Sequence, residues 1–146
     1  MPADFRASAG CAIRLLLNQR LYSLRIDVLK LKYDKLIIFD TLSHYCSTTR
    51  ATLDELTAHT DLRDGCTLNV LGPDGTLHIV LYNESTFNPG RRSFTLAHEV
   101  GHIYLEHQND THNNEAEANC FASTLLMPPV ITYDATINVN TSNAML

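Results

Sequence analysis

The stretch Phe94 to His107, FTLAHEVGHIYLEH, sets two histidines four residues apart with a glutamate directly after the first. At about 100° per helical residue, His98 and His102 lie about 40° apart on one face. Phe94, Ala97, Gly101 and Leu105 flank them, and Val100, Ile103 and Tyr104 cover most of the remaining circumference. A helix that is apolar nearly all round is a buried helix. Two imidazoles and a carboxylate inside it need partners, because unpaired polar groups are costly away from water. A satisfied core histidine explains one such residue. Two at this spacing, plus the acid, fit a metal site better, with His98 and His102 as ligands. The helix has a clear beginning, since Asn88 can cap it and Pro89 suits the first helical position, where a missing N–H costs nothing.

A third ligand must come from elsewhere in the fold, with a fourth position left open for water. NNEAEANCFASTLLMPP, residues 113–129, reads as a second helix ended by Pro128 and Pro129, and it carries two acids, Glu115 and Glu117. Glu115 shares a face with Asn119, Ala122 and Leu126, adjoining the apolar stripe of Ala118, Phe121 and Leu125. Glu117 points about 160° away from it. It also lies three residues after Asn114, where it can close a capping box. Glu115 is therefore the expected third ligand, with Glu117 as the alternative. Asn119, one turn on, is placed to hydrogen-bond the far nitrogen of a ligand histidine.

The remaining sequence reads more coarsely. Residues 5–32 suit one or two helices, and LIIFD at 36–40 is either a strand or a helix end. TLDELTAH, 52–59, reads as a helix with a Thr52–Glu55 capping box. CTLNVLGPDGTLHIVLYN predicts a hairpin, strands 66–71 and 76–82 about a turn at Gly72–Gly75. In its second strand Leu77, Ile79 and Leu81 form an apolar face opposite a mixed face of His78, Val80 and Tyr82.

With 146 residues and no internal repeat or linker, residues 1–146 are expected to form one domain. A net charge of −5 and the lack of a dense Lys/Arg block argue against direct nucleic-acid binding. Cys11, Cys46, Cys66 and Cys120 form no C-x-x-C pair and read as small buried hydrophobes in a reducing compartment. ASAGC at 7–11 has no apolar segment before it, so no signal peptide is expected, and no stretch approaches membrane-span length. The chain reads as cytoplasmic.

RRSFTLAHEVGHIYLEH followed closely by NEAEANCFASTLLMP resembles the ImmA/IrrE family of metallopeptidases, over about residues 80–129. The resemblance implies an α+β, minimal zincin-like fold, with a small sheet or hairpin packed on a buried H-E-x-x-H helix and a second ligand-bearing helix. It implies one Zn²⁺ per chain, with Mn²⁺ as an alternative ion, held by His98, His102 and Glu115, and Glu99 as the catalytic carboxylate. It also implies a protein substrate, a helix-turn-helix repressor whose cleavage derepresses prophage, mobile-element or stress genes. The likeness stops after L-L-M-P. The family continues there with further helices, whereas here a polar, Asn/Thr-rich segment follows, residues 130–146.

The chemistry follows from the residues as well. A zinc ion with three protein ligands brings the pKa of its water towards neutrality and polarises a scissile carbonyl, and Glu99 is placed to take the proton and pass it to the leaving amine. Thr76–Tyr82 reads as an edge strand on which an extended substrate can pair. Tyr104, His107, His112 and Tyr133 are candidate transition-state donors. Two other classes compete: a non-catalytic module that binds a repressor or antitoxin through a structural metal, and a toxin-like partner of an antitoxin. The acid at Glu99, for which a structural zinc site has no use, favours the enzyme.

Overall fold

The protein's structure, a computed structural model, describes residues 2–19, 26–49, 65–84 and 88–126. The helix expected over 52–59, the proline stop at Pro128–Pro129 and Tyr133 lie outside them. Within the described residues the chain forms helix α1 (Phe5–Leu17), a single 3₁₀ turn at Val28–Lys30, strand β1 (Leu36–Thr41) and helix α2 (Leu42–Thr49). The hairpin β2 (Gly65–Gly72) and β3 (Gly75–Tyr82) follows, then helices α3 (Pro89–Tyr104) and α4 (His112–Leu126). The fold is α+β, as the sequence implied.

The hairpin forms where expected, with Gly72 paired to Gly75 around a two-residue turn of Pro73 and Asp74. Gly75 sits at φ +124°, a conformation that side-chain-bearing residues rarely adopt, so glycine is required there. LIIFD proves to be strand: β1 runs parallel to β3, from Leu36↔Leu77 to Thr41↔Tyr82. The sheet order is β1-β3-β2. The Thr76–Tyr82 run is therefore the central strand, with both backbone edges taken, and cannot receive a substrate strand. Among the described residues β1 and β2 are the edges instead.

The two faces of β3 divide the core. Val80, on the mixed face, packs with Ala12 and Leu15 of α1, with Leu96, Val100 and Ile103 of α3, and with Phe121 and Leu125 of α4. On the apolar face, Leu81 and Cys66 pack with Leu42 of α2 in a second, smaller cluster. At its other end the same face leaves Leu36, Ile38 and Val70 about half exposed (57%, 50% and 47%), so apolar patterning did not mark the helix-covered side. His78, two residues from Val80, shares its face and lines the cleft described below.

α3 starts as read: Asn88 Oδ1 accepts from the backbone N–H groups of Gly90 (2.9 Å) and Arg91 (3.2 Å), with Pro89 following the cap. α4 starts earlier than read. Thr111 caps it, its hydroxyl accepting from Asn114 N at 3.1 Å and its carbonyl from Glu115 N at 2.9 Å. Asn114 is thus inside the first turn, and the capping box assigned to Asn114 and Glu117 does not form. Both acids stay near the helix start, but only Glu115 lies in the first turn.

α4 packs against both α1 and α3. Its approach to α3 depends on Gly101, where a Cβ would meet the ring and Cβ of fully buried Phe121 at 3.0–3.1 Å. Alanine favours a helix by up to about 1 kcal/mol over glycine. Overpacking against an immovable ring costs about 1–3 kcal/mol. Gly101→Ala is expected to be destabilising on balance, read as a lower urea midpoint at unchanged slope. An unchanged or raised midpoint would mean that the two helices can part at no cost. No helix among the described residues is long and apolar enough to cross a membrane.

Candidate metal centre

One turn of α3 and the first turn of α4 bring four donor atoms of three residues together. His98 Nε2 lies 3.0 Å from Glu115 Oε2, His102 Nε2 lies 3.0 Å from Glu115 Oε1, and the two Nε2 atoms are 3.0 Å apart. The imidazoles meet edge to face, centroids 4.6 Å apart at 83°. Both side chains are largely buried, 14% and 11% exposed.

The donor set fits a divalent ion. Two nitrogens and a carboxylate are the ligands of a catalytic zinc, whose bonds of about 2.0–2.2 Å place neighbouring ligand atoms roughly 3.3 Å apart in a tetrahedron. The observed 3.0 Å separations are close to that spacing. Lone pairs gathered so tightly repel one another unless a proton or a cation lies among them.

Each imidazole is also held from behind. His98 Nδ1 lies 2.7 Å from Asn119 Oδ1, the contact expected of Asn119. His102 Nδ1 lies 2.9 Å from His107 Nδ1, and His107 Nε2 lies 2.9 Å from Glu117 Oε1. Glu117 Oε2 accepts from the backbone N–H of Asp4, the cap of α1, at 2.9 Å. Glu117 is thus directed away from the ligand cluster, and the choice of Glu115 agrees with the helix phase. Burial, together with neighbouring His98, keeps His102 below the usual histidine range.

Glu99 points towards the sheet. Its Oε1 accepts a hydrogen bond from the Thr67 hydroxyl of β2 at 2.8 Å. Burial raises its pKa above the usual carboxylate range, opposed by the Thr67 hydroxyl and by His98. One carboxylate oxygen of Glu99 and one nitrogen of each of His98 and His102 all lie within 4.8 Å of one another. The acid is therefore beside the ligand point while bonded to a different strand.

Two residues here escaped the sequence reading. Thr67 holds Glu99 across 32 residues, and nothing local marks it. Asp110, in the loop between α3 and α4, has a carboxylate oxygen within 4.8 Å of ligand atoms of His102 and Glu115. Its one sequence signal is an acid in the short connection between two ligand-bearing helices. The proposed transition-state donors fare poorly. Tyr104 donates its hydroxyl to Asp34 at 2.6 Å and stacks on Phe121, while both ring nitrogens of His107 are engaged. His112 sits on the exposed first turn of α4, outside the cleft lining.

The cluster opens on a cleft of about 1500 Å³, lined by β2, the hairpin turn, His78, Phe94 and the loop after α3. Cys66 also lines it, but burial pushes its thiol up to about 12, so it presents no thiolate. No curated protein and no solved structure matches the chain. The signature of the peptidase M78 family, the IrrE N-terminal-like domain, matches residues 53–135, more than half of the chain and the whole of the segment that carries these ligands. With that match added to the H-E-x-x-H helix and its carboxylate partner, the chain belongs to this metallopeptidase family.

Proposed function

We propose that the chain is a zinc-dependent endopeptidase in which His98, His102 and Glu115 hold the ion and Glu99 is the general base. The observation that carries this reading is the convergence of the donor atoms of three residues at 3.0 Å separations with a buried carboxylate beside them. A zinc ion with two imidazoles and one carboxylate keeps a position open and supplies Lewis acidity to a carbonyl and a water. The protein's own groups do the rest. Thr67 orients Glu99 through one oxygen, leaving the other to accept a proton and return it to the departing amine. β2, the sheet edge that lines the cleft, offers backbone groups to an extended peptide, and its Asn69 and Leu71 border the path. The substrate is a helix-turn-helix repressor, on the resemblance of the two motifs to ImmA/IrrE peptidases; no feature of the cleft names it.

The ligand set is tested by competition with a chromophoric chelator. Glu115→Ala is expected to weaken zinc binding by more than about 100-fold, beyond the roughly 10–100-fold typical of groups that only orient ligands. Asp110→Asn is expected to cost less than about tenfold, because Asp110 is exposed and both imidazoles are already met by Glu115. The opposite ranking would place Asp110, rather than Glu115, among the ligands.

A further inference from the structure

We infer that His107 and Glu117 set the tautomer of His102, so that a carboxylate aimed by the cap of α1 decides whether the metal position faces a lone pair or a proton. This rests on the metal reading above and deepens it, making His107 and Glu117 positioning residues rather than ligands or proton donors to substrate.

With a divalent ion at the ligand point the chain of contacts allows one direction of donation; without one, Glu115 Oε1, 3.0 Å from His102 Nε2, competes for the His102 proton. A carboxylate only accepts, so at 2.9 Å from Glu117 Oε1 it is His107 Nε2 that donates. A neutral imidazole then has a bare Nδ1, which accepts from His102 Nδ1 at 2.9 Å. His102 carries its proton on Nδ1, leaving the Nε2 lone pair directed at the point shared with His98 and Glu115. The support behind His98 is not directional in this way, since the Asn119 amide can accept or donate there.

Two further features hold the relay in place. Glu106 occupies the left-handed region at φ 58°, where a non-glycine residue is strained. That residue turns the chain at the end of α3, so that Glu106 N–H reaches Ile103 O (3.2 Å) and His107 N–H reaches His102 O (3.0 Å). This turn returns the His107 ring to His102, centroids 5.1 Å apart, with the side chain 7% exposed. On the other side, Asp4 N–H, which can only donate, occupies Glu117 Oε2 at 2.9 Å.

Glu117→Gln therefore does more than remove a charge. Asp4 N–H claims the amide oxygen, so the NH₂ faces His107 Nε2 and every donor in the relay reverses. His102 is left with its proton on Nε2, in the metal position. In zinc-loaded wild type, two-bond ¹H–¹⁵N spectra should show His107 protonated on Nε2 and His102 on Nδ1. Zinc affinity in Glu117→Gln should fall about 10–100-fold. His107→Gln retains one acceptor towards His102 and one donor towards Glu117, so it should keep wild-type affinity within a few-fold, whereas His107→Leu should lose about as much as Glu117→Gln. His107 protonated on Nδ1 in the zinc-loaded wild type would overturn the inference. So would a Glu117→Gln protein with unchanged zinc affinity, or equal zinc binding by the two His107 variants. Should Glu117→Gln not fold, the wild-type spectrum and the His107 pair decide alone. Failure of the wild type to take up any metal would instead remove the metal reading.

Discussion

Glu99→Gln should leave a folded protein with its full metal content that no longer cleaves its substrate. The Thr67 hydroxyl donates to Glu99 Oε1, and a glutamine oxygen can still accept that bond, so the side chain should keep its place. Glu99 is not among the three residues whose donor atoms gather at 3.0 Å, so zinc stoichiometry should not change. What disappears is the proton acceptor, and loss of a general base lowers rates by about 10²–10⁴-fold. The measurement incubates wild type and variant with a helix-turn-helix repressor, the substrate class proposed above, with zinc or manganese supplied, and reads products on gels and by mass. Equal cleavage by both proteins would exclude Glu99 as the base. Binding by both with cleavage by neither would favour the non-catalytic binding module over the enzyme.

His98→Ala and His102→Ala should each abolish most metal binding. The wild type is expected to hold about one zinc per chain, and each variant removes one of three protein ligands. Each also leaves Glu115 with an unmet oxygen, 3.0 Å from where the lost imidazole stood. The loss has a second readout in stability. An ion that binds only the folded state at about 100 times its Kd stabilises it by about 2.7 kcal/mol. Zinc should accordingly raise the melting temperature of the wild type and leave both variants unmoved. Full occupancy in both would remove the site assignment altogether.

Local chemistry was legible from the residues in order. The spacing of His98 and His102 requires only helical geometry, and that geometry brings their Nε2 atoms together. The Asn88 cap, the start of α3 at Pro89 and the Pro73–Asp74 hairpin turn are likewise short-range, because the groups that satisfy them lie within four residues. Even the preference for Glu115 over Glu117 came from helix phase, although the Asn114 cap invoked beside it was wrong: Thr111, three residues earlier, has the hydroxyl that meets the first turn.

What the sequence determined by itself is which groups are candidates for the site: two imidazoles and the carboxylate between them on one helix, and a carboxylate partner on the next, each read from spacing along its own helix. What only the tertiary structure decided is how those groups are held. β3 is central because β1, some 40 residues earlier in the chain, pairs with it in parallel, and strand order is not written in strand patterning. Thr67 meets Glu99 across 32 residues, and Glu117 meets the α1 cap across 113. Such contacts depend on where packing sets whole elements, here on the absence of a side chain at Gly101 that lets Phe121 and α4 approach α3. Periodicity reports which side of a helix is buried, but not which residue of another element will stand opposite.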